Sequence, residues 1–199
     1  MGSEPLNTRI PERHPLEPFL PKGARLLMLG SFPPKRSRWS MDFYYPNPQN
    51  DMWRIMGLVF YSDKNKFLVP GGKVFDREAI MKFCEEKGIA LCDTAKEVIR
   101  LNNNASDKFL EITEPFDLEA LLDKLPECHA IATTGQKATD MFVAVTGCAE
   151  PPVGSYSDFD YQGRQLRLYR MPSSSRAYPK PLGEKAGVYG SMFAMLNIN

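Results

Sequence analysis

The groups able to do chemistry in this chain stand at the ends of four short apolar runs. Residues 26–29, Leu-Leu-Met-Leu, lead into Gly30-Ser31-Phe32-Pro33-Pro34, and residues 89–92, Ile-Ala-Leu-Cys, deliver Asp93. Residues 130–133, Ala-Ile-Ala-Thr, lead into Thr134-Gly135-Gln136-Lys137, and a run holding Leu166, Leu168 and Tyr169 empties into Pro172-Ser173-Ser174-Ser175-Arg176. These segments bring a carboxylate, hydroxyls, cations and loop N–H groups, the means of holding a polar or anionic ligand. Taken singly they are a tight turn, a helix cap, a strand-to-helix connection and a loop. Their arrival at one rim of a sheet points to a site, because open α/β sheets bind ligands at the carboxyl ends of their strands. The aromatic run Phe43-Tyr44-Tyr45 belongs to the same rim, and Lys35, Arg36 and Arg38 add a basic cluster that a net charge of +1 conceals.

Several familiar chemistries do not fit. A Ser-His-Asp hydrolase needs a histidine beside its nucleophile, but His14 falls in the N-terminal arm and His129 at the entry end of a strand, and no GxSxG elbow is present. GSFPPK lacks the glycines of a dinucleotide loop, and Gly71-Gly72-Lys73 lacks the spacing of a phosphate loop. Cys84, Cys92, Cys128 and Cys148 show no metal-binding or disulfide spacing, so buried thiols and no metal are expected.

The elements that must position these groups can be read from caps and periodicity. Leu26 to Leu29 are apolar on both faces, as in a parallel strand. Asn47 is placed to cap a helix with Pro48 at its first position, followed by Met52, Ile55, Met56, Val59 and Phe60 at helical spacing. Asp76 caps a helix to Lys87, with Gly88 as its stop, and Asp117 caps one through Leu125. Residues 94–107 read as a turn of helix and a loop leading to a weak helix near Phe109. After Lys137 a helix runs through Met141, Phe142 and Val145 to Gly147. Residues 149–164 read as an antiparallel excursion turning at Gln162-Gly163, and the chain closes with a helix.

Strand and helix alternating four times predict a three-layer α/β/α fold with a central, mainly parallel four-stranded sheet. Residues 1–24 are expected to form a surface arm anchored through Leu16, Phe19 and Leu20, and residues 25–199 a single α/β domain. At 199 residues, 43% hydrophobic and 25% charged, the chain can bury one substantial core. It has no apolar run of about 20 residues and no signal-peptide core in MGSEPLNTRIPERHP, so a cytoplasmic monomer without membrane contact is expected.

In this order the segments resemble the uracil-DNA glycosylase superfamily, and most of all its hypoxanthine-DNA glycosylase branch. LMLGSFP is similar to the first superfamily motif, YYPNPQNDMWRI to the branch's aromatic and asparagine segment, GIALCDTAKEVIR to the strand end that supplies the base-reading side chain, and MPSSSRA to the Pro-Ser loop that enters DNA. ERHPLEPFLP resembles the arm preceding the first strand. The resemblance implies the α/β/α glycosylase fold and a monofunctional, cofactor-free DNA repair glycosylase. Its partner would be double-stranded DNA containing a damaged base, and its reaction cleavage of the N-glycosidic bond of a flipped, deaminated base, hypoxanthine or uracil.

Phe32 stands where many members hold Asp or Asn, so the resemblance passes the catalytic role to Asn50; Met171 stands where uracil-specific relatives have His. Phe32, Tyr44 and Tyr45 are the implied base-stacking rings, at least one of which is expected to belong to the core. Ser31, Pro33, Lys35, Lys137, Ser173, Ser174, Ser175 and Arg176 are the implied DNA contacts. Asp93 is implied in both catalysis and base reading. Hypoxanthine and uracil carry a lactam N–H that a carboxylate accepts, whereas adenine and cytosine bring a lone pair to the same place. Two other readings stay open: a catalytically weak DNA-binding relative, and an α/β module for a free nucleotide or small metabolite.

Overall fold

Five consecutive buried residues, Leu26–Gly30, form the strand on which the molecule is stacked. The computed structural model describes residues 10–101 and 110–199. In chain order its elements are β1 (Pro11–Arg13), β2 (Leu26–Gly30), α1 (Met52–Tyr61), α2 (Arg77–Lys87), β3 (Ile89–Asp93), β4 (Ala95–Arg100) and β5 (Leu110–Pro115). There follow α3 (Leu118–Asp123), β6 (Ala130–Thr133), α4 (Gln136–Thr146), β7 (Ser155–Tyr161), β8 (Arg164–Arg170) and α5 (Leu182–Met195).

The main sheet has the order β3-β2-β6-β8-β7, its first four strands parallel and β7 antiparallel to β8. It is a mixed five-stranded sheet rather than the expected four-stranded one. The extra strand is the excursion after α4: Gln162 and Gly163 both take left-handed φ, 52° and 78°, the two-residue turn whose twist matches a hairpin. β7 therefore pairs along the whole of β8 from Ser155↔Arg170 to Tyr161↔Arg164.

Side chains alternate across β2, and each face has its own core. Leu26 and Met28 pack with Trp53 and Ile55 of α1, Ile80 and Phe83 of α2, and Tyr189 and Phe193 of α5. Leu27 and Leu29 pack with Leu121 and Leu122 of α3 and Phe142 of α4. The layers are thus helices on both faces of a sheet. The chain moves outward from β2 to β3, then crosses back to β6 and β8. That reversal puts a topological switch point between β2 and β6, where the carboxyl ends part and a ligand has room.

Asp76 and Asp117 cap α2 and α3 through Ala79 N–H and Ala120 N–H, both at 3.0 Å, and Gly88 and Gly147 end α2 and α4 in the left-handed conformation. The start of α1 differs from expectation. Asn47 caps no helix: its Oδ1 accepts the Gln49 N–H at 3.0 Å, its carbonyl takes the Asn50 N–H at 2.8 Å, and the helix begins at Met52. Residues 47–50 are spent on a turn because Asp51 N–H is engaged with Ser174 O, 2.8 Å away.

Residues 95–100 are strand, not helix. β4 lies between β1 and β5 in a second, antiparallel sheet, with Val98 fully buried, and pairing on both sides overrides a weak local preference. Phe109 itself lies outside the described residues, and the residues that follow it, Leu110–Pro115, are strand β5 rather than the helix expected there. The arm docks where its apolar residues suggest. Phe19 exchanges both backbone hydrogen bonds with Leu91 at 2.9 Å, covering the free edge of β3, while Leu16 and Leu20 pack on the two cores. Cys84, Cys92 and Cys128 are buried thiols; Cys148 is only half-buried, at the end of α4 where the core thins. Among the described residues no helix is long and apolar enough to cross a membrane, and no cluster of His, Cys, Asp and Glu could hold a metal.

Candidate active site

A cleft of about 960 Å³ opens at the switch point. Ser31, Phe32 and Pro33 line it from the loop after β2, Tyr44, Tyr45 and Asn50 from the loop before α1, Asp93 from the end of β3, Lys137 from the start of α4, and Ser173, Ser174, Ser175 and Arg176 from the loop after β8. Lys35 lies outside the lining, exposed just past Pro34. The four loops therefore meet, as their strand ends foretold.

Asp93 is the last residue of β3 and is buried. Parallel pairing places it beside Gly30, and the glycine is needed there. A Cβ on Gly30 would overlap Asp93 Oδ1 and crowd the Tyr45 hydroxyl at 3.4 Å. Asp93 Oδ2 lies 2.8 Å from His14 Nε2, while Oδ1 has no hydrogen-bond partner among the described residues. Sequence reasoning set His14 aside because it sits in an arm without periodicity, 79 positions from Asp93. Only its place in ERHP, just ahead of the anchoring apolar residues, was available as a signal.

His14 is fixed from several directions. Its backbone N–H donates to Lys96 O at 2.8 Å just past the end of the β1–β4 pairing, and Nδ1 lies 2.9 Å from Leu16 O. Its ring meets Phe32 edge-on at 5.1 Å and stacks toward Tyr44 at 6.1 Å. Burial works against a charged imidazole, but the hydrogen bond and negative charge of Asp93 outweigh it and hold the His14 pKa above its ordinary value.

The three rings differ in their availability. Tyr44 is the core member: it is 3% exposed and its hydroxyl donates to Glu17 O at 3.1 Å. Phe32 also packs inward, beneath the Arg100 guanidinium and against Val98, with its remaining surface on the cleft. Tyr45 is less buried and takes φ 51°, uncommon for a bulky residue and of the kind that gathers at functional sites. Its hydroxyl pairs with Thr134 Oγ1 at 2.8 Å, tying the aromatic loop to the end of β6. Burial, reinforced by the charge of Asp93, pushes the Tyr45 phenol up, so it stays protonated.

Asn50 and the serine loop form one unit. Asn50 and Ser175 make an antiparallel bridge, Asp51 N–H donates to Ser174 O and Arg176 N–H donates to Gln49 O. Asn50 Oδ1 accepts the Met52 N–H at 2.9 Å, which commits its oxygen to the start of α1 and leaves the amide N–H groups as the available donors. Ser173 Oγ and Ser175 Oγ accept N–H groups two residues on, the turn chemistry of short hydroxyl side chains.

Beneath this unit Asp51 gathers cations. Arg176 Nε lies 2.9 Å from its Oδ1, Arg54 Nη1 3.8 Å from Oδ1 and Lys185 Nζ 3.9 Å from Oδ2. Lys185 is 1% exposed and donates to Ser175 O at 2.7 Å. One carboxylate against three cations leaves positive charge in excess directly under the serine loop. Arg176, expected to reach DNA, is thus partly held within the protein.

No protein-family model matches the chain, and no curated protein matches it. Among solved structures it is similar to the solution NMR structure of a protein from Methanosarcina acetivorans that is provisionally named a uracil DNA glycosylase. The two share 22% sequence identity with a TM-score of 0.63, over 94% of this chain and 99% of that one. Across nearly its whole length, the chain shares the fold of that Methanosarcina protein.

Proposed function

We propose that the protein is a DNA glycosylase that removes a deaminated base, hypoxanthine or uracil, from duplex DNA. What carries this reading is Asp93, a buried carboxylate at the foot of a ring-lined cleft with one oxygen tethered and the other unpaired among the described residues. Such an oxygen suits the lactam N–H that deamination creates and repels the lone pair of an intact adenine or cytosine.

The remaining groups fit the steps of base excision. Extruding a nucleotide costs a few kcal/mol, least at a mismatched base, and stacking on an aromatic ring recovers about 1–3 kcal/mol per base. Of the rings lining the cleft, Phe32 and Tyr45 are more exposed than Tyr44 and are the ones offered to a base. The serine loop, backed by the positive excess around Asp51, seats backbone phosphates. As the bond between sugar C1′ and the base nitrogen breaks, water adds to C1′ and the departing base carries negative charge until it takes up a proton. The amide N–H groups of Asn50 supply donors for the water or the leaving base, and no covalent nucleophile is required. The TM-score of 0.63 to a protein provisionally named a uracil DNA glycosylase supports the same assignment.

Duplexes carrying deoxyinosine, uracil, xanthine or a G·T mismatch, treated with the protein and then with alkali, test the reading. Strand scission at deoxyinosine or uracil is expected. Salt-sensitive retention of duplex without scission would make the protein a DNA binder, and neither would leave a module for a free nucleotide or metabolite.

A further inference from the structure

We infer that His14 sets which bases the site accepts, by taking one oxygen of Asp93 out of use and leaving the carboxylate a single acceptor in a fixed place. This rests on the base-reading role proposed above for Asp93.

A carboxylate with two unengaged oxygens on a rotatable bond is an undemanding acceptor. It can receive a ring N–H, and it can equally swing to the exocyclic amino group of adenine or cytosine. Asp93 lacks that latitude. Oδ2 is held at 2.8 Å by His14 Nε2 and Oδ1 is packed against Gly30, where even a methyl group has no room. With Oδ2 tethered and Gly30 close beside Oδ1, the carboxylate has little room to turn, so the N–H must come to Oδ1. Hypoxanthine and uracil bring one there, whereas adenine and cytosine bring a lone pair and keep their amino group one atom further round the ring.

The surroundings of His14 suit this task better than simple packing. The slot between Phe32 and Tyr44 would take a phenyl ring as readily as an imidazole. A nitrogen at the Nε2 position is needed because Asp93 faces it. The Nδ1 edge is occupied by the Leu16 backbone, 2.9 Å from its carbonyl and 3.2 Å from its N–H, so the ring can present only Nε2 to the carboxylate. His14 is therefore a positioning residue: it acts on the base through Asp93.

His14→Phe keeps the ring and removes the donor; His14→Gln keeps an N–H at nearly the reach of Nε2 and removes the ring. Single-turnover excision under saturating enzyme is measured on duplexes with deoxyinosine or uracil and on matched duplexes with mispaired adenine or cytosine, alongside duplex affinity and the melting temperature. For His14→Phe the expected result is unchanged duplex affinity, a fall of about 10- to 100-fold in rate on the damaged base, and a smaller ratio of damaged to normal excision. His14→Gln should recover most of both. Wild-type rate and ratio in His14→Phe would overturn the inference, as would equal losses in both variants with the ratio unmoved. If His14→Phe does not fold, His14→Gln against the shorter His14→Asn decides by the same ratio. A wild-type protein that cleaves none of these duplexes would overturn the glycosylase reading, and this inference with it; an active wild type with indifferent variants would overturn this inference alone.

Discussion

Two carboxylates stand beside the same cleft with equal burial, each side chain 9% exposed, and they are held in opposite ways. Asp51 is enclosed by Arg54, Arg176 and Lys185, with cations against both oxygens. Asp93 has one imidazole on Oδ2 and a glycine cleared away from Oδ1. Burial alone would rank them alike; the partners separate them. A buried carboxylate whose oxygens are all answered holds elements together, here the serine loop to α1 and α5. One that keeps an oxygen unanswered carries a desolvation cost with no structural return, and that cost is the mark of a ligand to come.

The contrast predicts that the two residues fail differently when removed. Asp93→Ala should lower single-turnover excision by about 10²- to 10³-fold, comparable to losing a well-aimed group at a reacting centre, while its urea midpoint, with one imidazole rather than three cations losing its partner, falls far less than that of Asp51→Ala. Near-normal excision by this variant would remove Asp93 from the chemistry. Asp51→Ala leaves three cations without their anion, and breaking a buried ion pair this way costs about 3–5 kcal/mol. Its urea midpoint should drop accordingly, and an unchanged midpoint would show that Asp51 is not the keystone of its cluster.

The same contrast separates what was legible in the sequence from what was not. β2, the caps at Asp76 and Asp117 and the turn at Gln162-Gly163 depend on residues within a few positions of one another, and their signals are local. The convergence of the four strand ends could be read too, because parallel strands must point the same way. β4 was misread because its partners β1 and β5 come from other parts of the chain. Asn47 was misread because Asp51 N–H answers to Ser174, more than a hundred residues on. The Asp93–His14 and Asp51–Lys185 pairs escaped for the same reason: a charge says nothing in sequence about which distant residue will face it.

Two smaller changes sharpen the comparison at the Asp93 end. Gly30→Ala alters no charge and no hydrogen-bonding group, yet its methyl would occupy the place of Asp93 Oδ1. Displacing a reading group by about an ångström costs about 10²-fold in rate, so excision should fall nearly as far as in Asp93→Ala while duplex affinity holds. A Gly30→Ala protein as active as wild type would mean that the position of Oδ1 does not matter.

The smallest effect is on stability and depends on pH. The His14 pKa lies above its ordinary value of 6.5 because Asp93, with a lesser contribution from the charge of Glu17, outweighs the burial that opposes protonation. A raised folded-state pKa means that the folded protein binds the proton more tightly than the unfolded chain. The stabilisation is therefore fully present below the unfolded value and is lost as pH rises through the folded one. Tyr44, the other titratable ring against His14, stays neutral throughout because burial pushes it well up. The melting-temperature gap between wild type and His14→Phe should accordingly be widest below the ordinary histidine value of 6.5 and narrow as the pH rises above it. A gap that stayed constant, or widened with pH, would mean that His14 meets Asp93 as a neutral imidazole, and the tether would then be a hydrogen bond without the charge.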